Sequence, residues 1–247
     1  MRIALISDIH GNLISFETVL AALEPESIDQ IICLGDVATL GPQPRQVMDR
    51  LLSLDLKVVL GNHDTFLLKP DLSRTYMNLD WFADTINWCA QQLRPSDFDY
   101  LRTFRPLLEV PLENGSSLLC FHGSPKSNID NILATTPPDE LDKMLTGHKA
   151  AVMACGHTHV QMLRQHRGQT IVNVGSVGMP FEQMPFTGEP RLLPWAEYAI
   201  LNWTNGVVNI ELRRVPVDLD AIRKAAFASG MPRAADWVNN WIVPDTE

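Results

Sequence analysis

Short apolar runs alternate with polar breaks along the first part of the chain in a strand–helix–strand rhythm. Residues 3–7 form an apolar run, and a loop carries Asp8 and His10. Leu13, Phe16, Val19, Leu20 and Leu23 then recur at helical spacing behind the capping residue type Asn12, until Pro25 breaks the pattern. A run at 30–34 leads into Gly35-Asp36. This βαβ unit predicts parallel pairing and a right-handed crossover. The prolines of Thr39-Leu40-Gly41-Pro42-Gln43-Pro44 predict a loop with no helix before Arg45. Val47, Leu51 and Leu52 give a second amphipathic helix, and a strand at 57–60 delivers Gly61-Asn62-His63-Asp64.

The pattern changes from Thr65 to about Arg105, where Tyr76, Trp81, Phe82, Trp88, Phe98, Tyr100 and Phe104 mix with polar residues. Residues 81–93 have helical spacing, and Ser96 is the expected cap of a further helix through Leu101. The stretch reads as a helical excursion near the site, its aromatics either ordinary core or a substrate-facing lid. The second half turns to strands, at 107–112, 116–121, 151–155, 161–165, 170–174, 197–203 and 207–215. Asn114-Gly115 and Asn205-Gly206 are strong hairpin turns, and Arg167-Gly168 marks another. One helical stretch is centred on 140–145, and 219–241 reads as helical with Gly230 and Pro232 interrupting it. Without repeats, low-complexity tracts or linkers, the 247 residues read as one α/β domain.

No apolar stretch approaches the ~18–20 residues that span a bilayer. The chain opens directly on its first strand, without the marks of an export signal. Cys33, Cys89, Cys120 and Cys155 are scattered, three of them in apolar runs just before motif residues, and read as buried packing thiols rather than a disulfide framework or zinc ribbon. These features predict a cytoplasmic protein with no membrane partner. The net charge is −9, and the Lys and Arg residues are dispersed. Gripping a long nucleic acid takes clustered basic residues, so none is expected as partner. A small phosphorylated substrate stays compatible, because bound metal ions supply positive charge where the sequence does not.

The chemistry lies in five segments: Asp8-Ile9-His10, Gly35-Asp36, Gly61-Asn62-His63-Asp64, His122-Gly123 and Gly156-His157-Thr158-His159. Five of the seven histidines fall inside them, each segment following an apolar run. Carboxylates and imidazoles without paired cysteines suit two hard-to-borderline divalent metals. Two such metals ~3.5–4 Å apart hold the attacking and leaving oxygens of a phosphoryl displacement. Asp8 and His10, two residues apart, point the same way on an extended stretch and can chelate one ion. Asp36 can bridge two ions, and Asn62 offers a neutral carbonyl. His157 and His159 can serve one metal or one each. Taken alone, Asp8 or Asp64 is equally a helix cap.

Together, in this order, the segments resemble the calcineurin-like metallophosphoesterase superfamily over residues 3 to about 203. The opening Ser7-Asp8-Ile9-His10-Gly11-Asn12-Leu13 and Gly175-Ser176-Val177-Gly178 look most like its small prokaryotic phosphodiesterase branch. The resemblance implies a four-layer αββα sandwich of two mixed sheets flanked by helices. It also implies a first metal on Asp8, His10, Asp36 and His159, and a second on Asp36, Asn62, His122 and His157. A metal-bridging hydroxide would attack the phosphorus. His63 would steady the phosphoryl group or protonate the leaving oxygen, with Asp64 holding its ring. Manganese or iron is the first reading of the metals, with zinc, nickel or cobalt also accepted by such a ligand set. Two departures from the branch fall where substrate should lie. Thr39-Leu40 replaces its usual Gly-Tyr, and Met179-Pro180-Phe181-Glu182 with a proline-rich insertion up to Trp195 stands where an Arg often follows.

The expected activity is a phosphodiesterase on a small phosphodiester or nucleotide. Phosphomonoesterase or dinucleoside polyphosphate hydrolase is the alternative, since the ligand set alone does not separate them. A scaffold that only binds metal would be expected to have lost ligands, and none is missing. Gly175 to Gly178 reads as a tight turn near the metals, His148 and His166 as surface residues, and Arg45, Arg102 and Arg105 as solvated. Trp237, Trp241 and Ile242 read either as an exposed apolar edge or as packed on their own sheet.

Overall fold

The computed structural model describes residues 1–182 and 190–243. In chain order the elements are β1 (Arg2–Ile6), α1 (Leu13–Leu23), β2 (Gln30–Cys33), α2 (Pro44–Leu54), β3 (Lys57–Val58), α3 (Asn62–Leu68), α4 (Asp71–Tyr76), α5 (Asp80–Gln92) and α6 (Pro95–Leu101). There follow β4 (Leu108–Pro111), β5 (Ser117–Cys120), α7 (Pro138–Leu145), β6 (Val152–Cys155), β7 (Met162–His166), β8 (Gln169–Asn173), β9 (Trp195–Thr204), β10 (Val207–Pro216), α8 (Leu219–Ser229) and α9 (Ala234–Asn239). They build two mixed five-stranded sheets, ordered β10-β9-β1-β2-β3 and β4-β5-β6-β8-β7. Within the first, β1, β2 and β3 run parallel; within the second, β5, β6 and β8 do.

The alternation of side chains along each strand makes four layers. Ile3 and Leu5 face a core that also takes Ile32, Leu118, Cys120, Val152, Ala154, Val172, Ala199 and Leu201, so the two sheets pack face to face. Ala4 and Ile6 face the other way, towards Phe16 and Val19 of α1, Val47 and Leu51 of α2, Cys89 of α5 and Leu101 of α6. On the far side, Leu119, Met153 and Ile171 pack under Leu141 and Leu145 of α7. Each fully buried Ile, Leu or Phe contributes about 1.5–3 kcal/mol.

Local signals set the element ends. Asn12 caps α1 by accepting the Ser15 amide at 3.1 Å. Pro44 does not bar α2 but starts it, since proline at the first helical position gives up an N–H that has no partner there anyway. Ser96 is not a cap: α6 starts at Pro95, and the Asp97 carboxylate accepts the Arg94 amide at 2.7 Å. All three expected hairpins form, and both residues of each turn are left-handed: Asn114 and Gly115, Arg167 and Gly168, Asn205 and Gly206. Gly230, also left-handed, ends α8. Trp237 and Trp241 are buried against Ile222, Ala226 and Leu192, so they pack on their own body. All four cysteines are buried and unpaired. Among the described residues no helix is long and apolar enough to cross a membrane.

Candidate active site

The strands that run parallel present their carboxyl ends together, the edge at which open α/β sheets bind ligands. The chain does not leave them extended. Asp8, His10, Asp36, His157 and His159 take left-handed backbone conformations, with φ of 54°, 47°, 58°, 68° and 56°. Such residues cost about 1–3 kcal/mol each and persist only where the surroundings hold them. Here backbone bonds tie one loop to the next: Asp8 N to Gly35 O at 2.9 Å, His10 N to Asp36 O at 3.0 Å, Gly178 N to Asp8 O at 3.0 Å. The extended geometry expected for Asp8-Ile9-His10 is therefore corrected: a cross-linked turn, not a pleat, sets both side chains.

Two triads of buried donors result. Asp8, His10 and His159 form one; Asp36, His122 and His157 form the other. His157 and His159 thus divide, one to each. In the first, His159 Nε2 lies 3.1 Å and His10 Nε2 3.6 Å from Asp8 Oδ1. In the second, His122 Nε2 is 3.1 Å from Asp36 Oδ2 and 3.0 Å from Asn62 Oδ1. The triads adjoin: Asp36 Oδ2 also reaches to 3.9 Å from His10 Nε2, and Asp8 Oδ1 to 4.0 Å from His122 Nε2.

The outer ring nitrogens have their own partners. His122 Nδ1 meets Leu34 O at 2.7 Å, His159 Nδ1 meets Met179 O at 2.6 Å, and His10 Nδ1 meets Thr39 Oγ1 at 3.2 Å. A carbonyl can only accept, so His122 and His159 donate through Nδ1 and turn Nε2 inward, which is how second partners orient metal-binding imidazoles. His10 Nε2 and His159 Nε2 stand 3.0 Å apart. Asp8 Oδ1 and His157 Nε2 are buried without a hydrogen bond. Buried acceptors left this way are costly, and cations at the two triads would satisfy them. The donors present therefore fit a pair of divalent metals.

The groups also set one another's charge. Burial raises the Asp8 carboxyl, but His159 and His122 outweigh it and hold it well below the usual carboxylate range. Burial likewise opposes, and His122 and His63 overcome it, in lowering Asp36. For His122 burial is outweighed by Asp36 and Asp8, which push it up to about 10. Burial takes His63 down to about 3 and His157 to about 4. Asp36 and His122 thus each favour the other's ionised form, and a metal at this triad would take the place of the His122 proton.

Asp64 does not hold the His63 ring. Its Oδ2 accepts the amides of Asp36 and Gly61, both at 2.9 Å, and its Oδ1 accepts the amide of Val37 at 3.0 Å. Part of the reason is helical: α3 begins at Asn62, so Asp64 sits in its first turn and caps the Gly61 amide, while the fold brings in the other two amides from the loop after β2. It stitches the β2 and β3 loops together. His63 donates its own amide to Asp36 Oδ1 at 2.8 Å, its Nδ1 has no hydrogen-bond partner among the described residues, and its ring lies edge-on to His10, Phe66 and Phe82. Gly61 leaves room for this: a Cβ there would stand 2.0 Å from Asp36 Oδ1. The Gly175 to Gly178 turn clamps Asp8, with Ser176 Oγ donating to Asp8 O at 2.8 Å.

Over the triads opens a cavity of about 460 Å³. The aromatics of the helical excursion split: Tyr76, Trp81 and Phe82 line the cavity, while Trp88, Phe98, Tyr100 and Phe104 pack into the core. Leu40, Met179 and Phe181, from the loops that depart from the branch pattern, line it too; residues 183–189 of the second loop lie outside those described. Arg45, Arg102 and Arg105 are exposed and away from the cavity. His166 is buried, not on the surface, and meets Asp142 Oδ1 at 2.8 Å; a neighbouring turn gave no sign of this hydrogen bond to the distant α7. Sequence reasoning did not place Met231, Arg233 and Trp237 at the cavity, which they close from the α8–α9 turn and from α9; breaks at Gly230 and Pro232 carried no chemical signal.

A family model described as the calcineurin-like phosphoesterase superfamily domain matches residues 1–189. An uncharacterised protein of Methanocaldococcus jannaschii is 26% identical over 242 residues, covering 96% of this chain and 95% of its own. A symmetrical bis(5'-nucleosyl)-tetraphosphatase of Hamiltonella defensa is 25% identical over 214 residues, covering 77% and 75%. A crystal structure of a metallophosphoesterase from Sphaerobacter thermophilus superposes with a TM-score of 0.73 at 23% identity, covering 97% of this chain and 98% of that one. At that identity the likeness speaks for the fold.

Proposed function

This chain belongs to the calcineurin-like phosphoesterase superfamily, and we propose that it is a dinuclear metal-dependent phosphodiesterase acting on a small phosphodiester. The observation that carries the reading is the pair of adjoining buried triads with inward, unsatisfied donors. Asp8, His10 and His159 would hold one metal, Asp36, Asn62, His122 and His157 the other, with the Asp36 carboxylate shared between them. Nitrogen and oxygen donors with two carboxylates favour manganese or iron, and zinc, nickel and cobalt also suit them. When bound, such a pair neutralises phosphoryl charge and lowers the pKa of water at the site.

The chain's own side chains do the rest. His63, neutral in the metal-free protein and with a free ring nitrogen, donates a hydrogen bond to a phosphoryl or leaving oxygen. Asp64 acts at one remove, by keeping Asp36 and Asn62 in register. Buried, unpaired thiols support a reducing, cytoplasmic setting. The alternative of a dinucleoside polyphosphate hydrolase is favoured by one observation, the tetraphosphatase relative.

The test is turnover by metal-stripped protein before and after adding Mn²⁺. Bis-p-nitrophenyl phosphate is expected to be cleaved faster than p-nitrophenyl phosphate, and only with metal. His63→Ala is expected to lower kcat by about 10²–10⁴-fold, the scale of a lost proton donor, with metal content unchanged. A faster monoester, or an undiminished His63→Ala enzyme, removes the diester preference or the role of His63 respectively.

A further inference from the structure

The walls of the cavity have a chemistry of their own, separate from the metal ligands. Rings lead outwards from the centre: His63 to Phe82 at 5.5 Å between centroids, Phe82 to Trp81 at 5.8 Å and to Tyr76 at 6.2 Å. From other elements Phe181, stacked on His159 at 4.3 Å, and Trp237 line the same space. At the rim, Tyr76 and Trp81 stay 38% and 40% exposed although both are large and aromatic. A contiguous patch of this kind beside a site marks a ligand surface.

Charge narrows the ligand further. Among the described lining residues Arg233 is the sole Lys or Arg, and it is already engaged, with Nε on Asp236 Oδ2 at 2.5 Å and its guanidinium 5.5 Å over the Trp81 ring. A chain of phosphates needs several cationic partners to offset its charge. Among the described lining residues no other side chain supplies them, which leaves the proposed metal centre as the place for phosphoryl charge.

We propose that the cavity formed by Tyr76, Trp81, Phe82, Phe181 and Trp237 is a subsite for a flat aromatic group esterified to a single phosphoryl centre, and that the substrate is an aryl or nucleobase-bearing phosphoester rather than a polyphosphate or a simple alkyl ester. The inference rests on the metal-centre reading above. It assigns specificity to segments that lie between and beyond the metal-ligand motifs: the Asp71–Tyr76 and Asp80–Gln92 helices, Phe181, and the Ala234–Asn239 helix. Stacking between fixed rings favours a planar group over an aliphatic chain of equal area.

Non-hydrolysable phosphonates test this by binding, independently of turnover. Mn²⁺-loaded protein, its metal content measured beforehand, is titrated calorimetrically with methyl-, octyl- and 1-naphthylphosphonate and with tripolyphosphate. The naphthyl compound is expected to bind at least about tenfold more tightly than the methyl compound, and more tightly than the octyl compound or tripolyphosphate. Trp81→Ala and Tyr76→Ala, chosen because both side chains are partly exposed, are expected to cut the naphthyl-to-methyl ratio about fivefold each. Equal binding of naphthyl- and methylphosphonate overturns the subsite while leaving the metal centre standing. Tighter octylphosphonate overturns its aromatic character, and tighter tripolyphosphate its single phosphoryl group. Failure of every phosphonate to bind the metal-loaded protein overturns the metal-centre reading and this inference with it.

Discussion

Asp36→Asn is expected to lower kcat by roughly 10³-fold, the scale of losing a charged group placed for the transition state. The substitution keeps the size of the side chain and an oxygen that can still accept the His63 amide, now at 2.8 Å from Oδ1. It removes the negative charge that faces His122 at 3.1 Å and reaches His10 at 3.9 Å, the contact by which one carboxylate serves both triads. Metal content should fall below two per chain with the fold intact by circular dichroism. An Asn variant that keeps wild-type turnover would mean that the triads do not act as one centre.

Asp64→Ala is expected to have the largest effect on stability. Three buried amides, of Asp36, Val37 and Gly61, donate to this one carboxylate, and Asp64 is fully buried. Each buried donor left without a partner costs about 1–3 kcal/mol, so the loss should be about 3 kcal/mol or more. For a chain of this size that lowers Tm by roughly 6–12 °C. Asp64→Asn, which retains one acceptor oxygen, should fall between. Thermal unfolding of metal-free protein decides the matter. A normal Tm combined with lost activity would return Asp64 to the role of holding His63.

These two aspartates show what the sequence could and could not say. Asp36 was legible because its chemistry follows from its type and place: a carboxylate just after an apolar run, beside a glycine, at a strand end. Asp64 stands in an equally suggestive segment, yet two of its three partners, Asp36 and Val37, come from the loop after β2, 28 and 27 residues earlier in the chain. Nothing local chooses between an imidazole and three amides as partner. The strands and hairpins were legible for a similar reason to Asp36: short apolar runs and pairs of turn residues act locally, and the Asn114, Arg167 and Asn205 turns all formed as expected. The ligand loops were not, because their left-handed backbone is imposed by bonds between loops rather than by the residues in them. The same holds for the cavity wall. The spacing of Trp81 and Trp88 predicts a helix for both, but which ring faces the core and which the site depends on what packs above, including the C-terminal helices.

Two divalent metals are proposed for the two triads, and anomalous diffraction from crystals grown with Mn²⁺ shows whether they are there. Two peaks per chain are expected, one ringed by Asp8, His10 and His159 and one by Asp36, Asn62, His122 and His157, with the Asp36 carboxylate between them. A single peak, or peaks away from these side chains, would contradict that proposal.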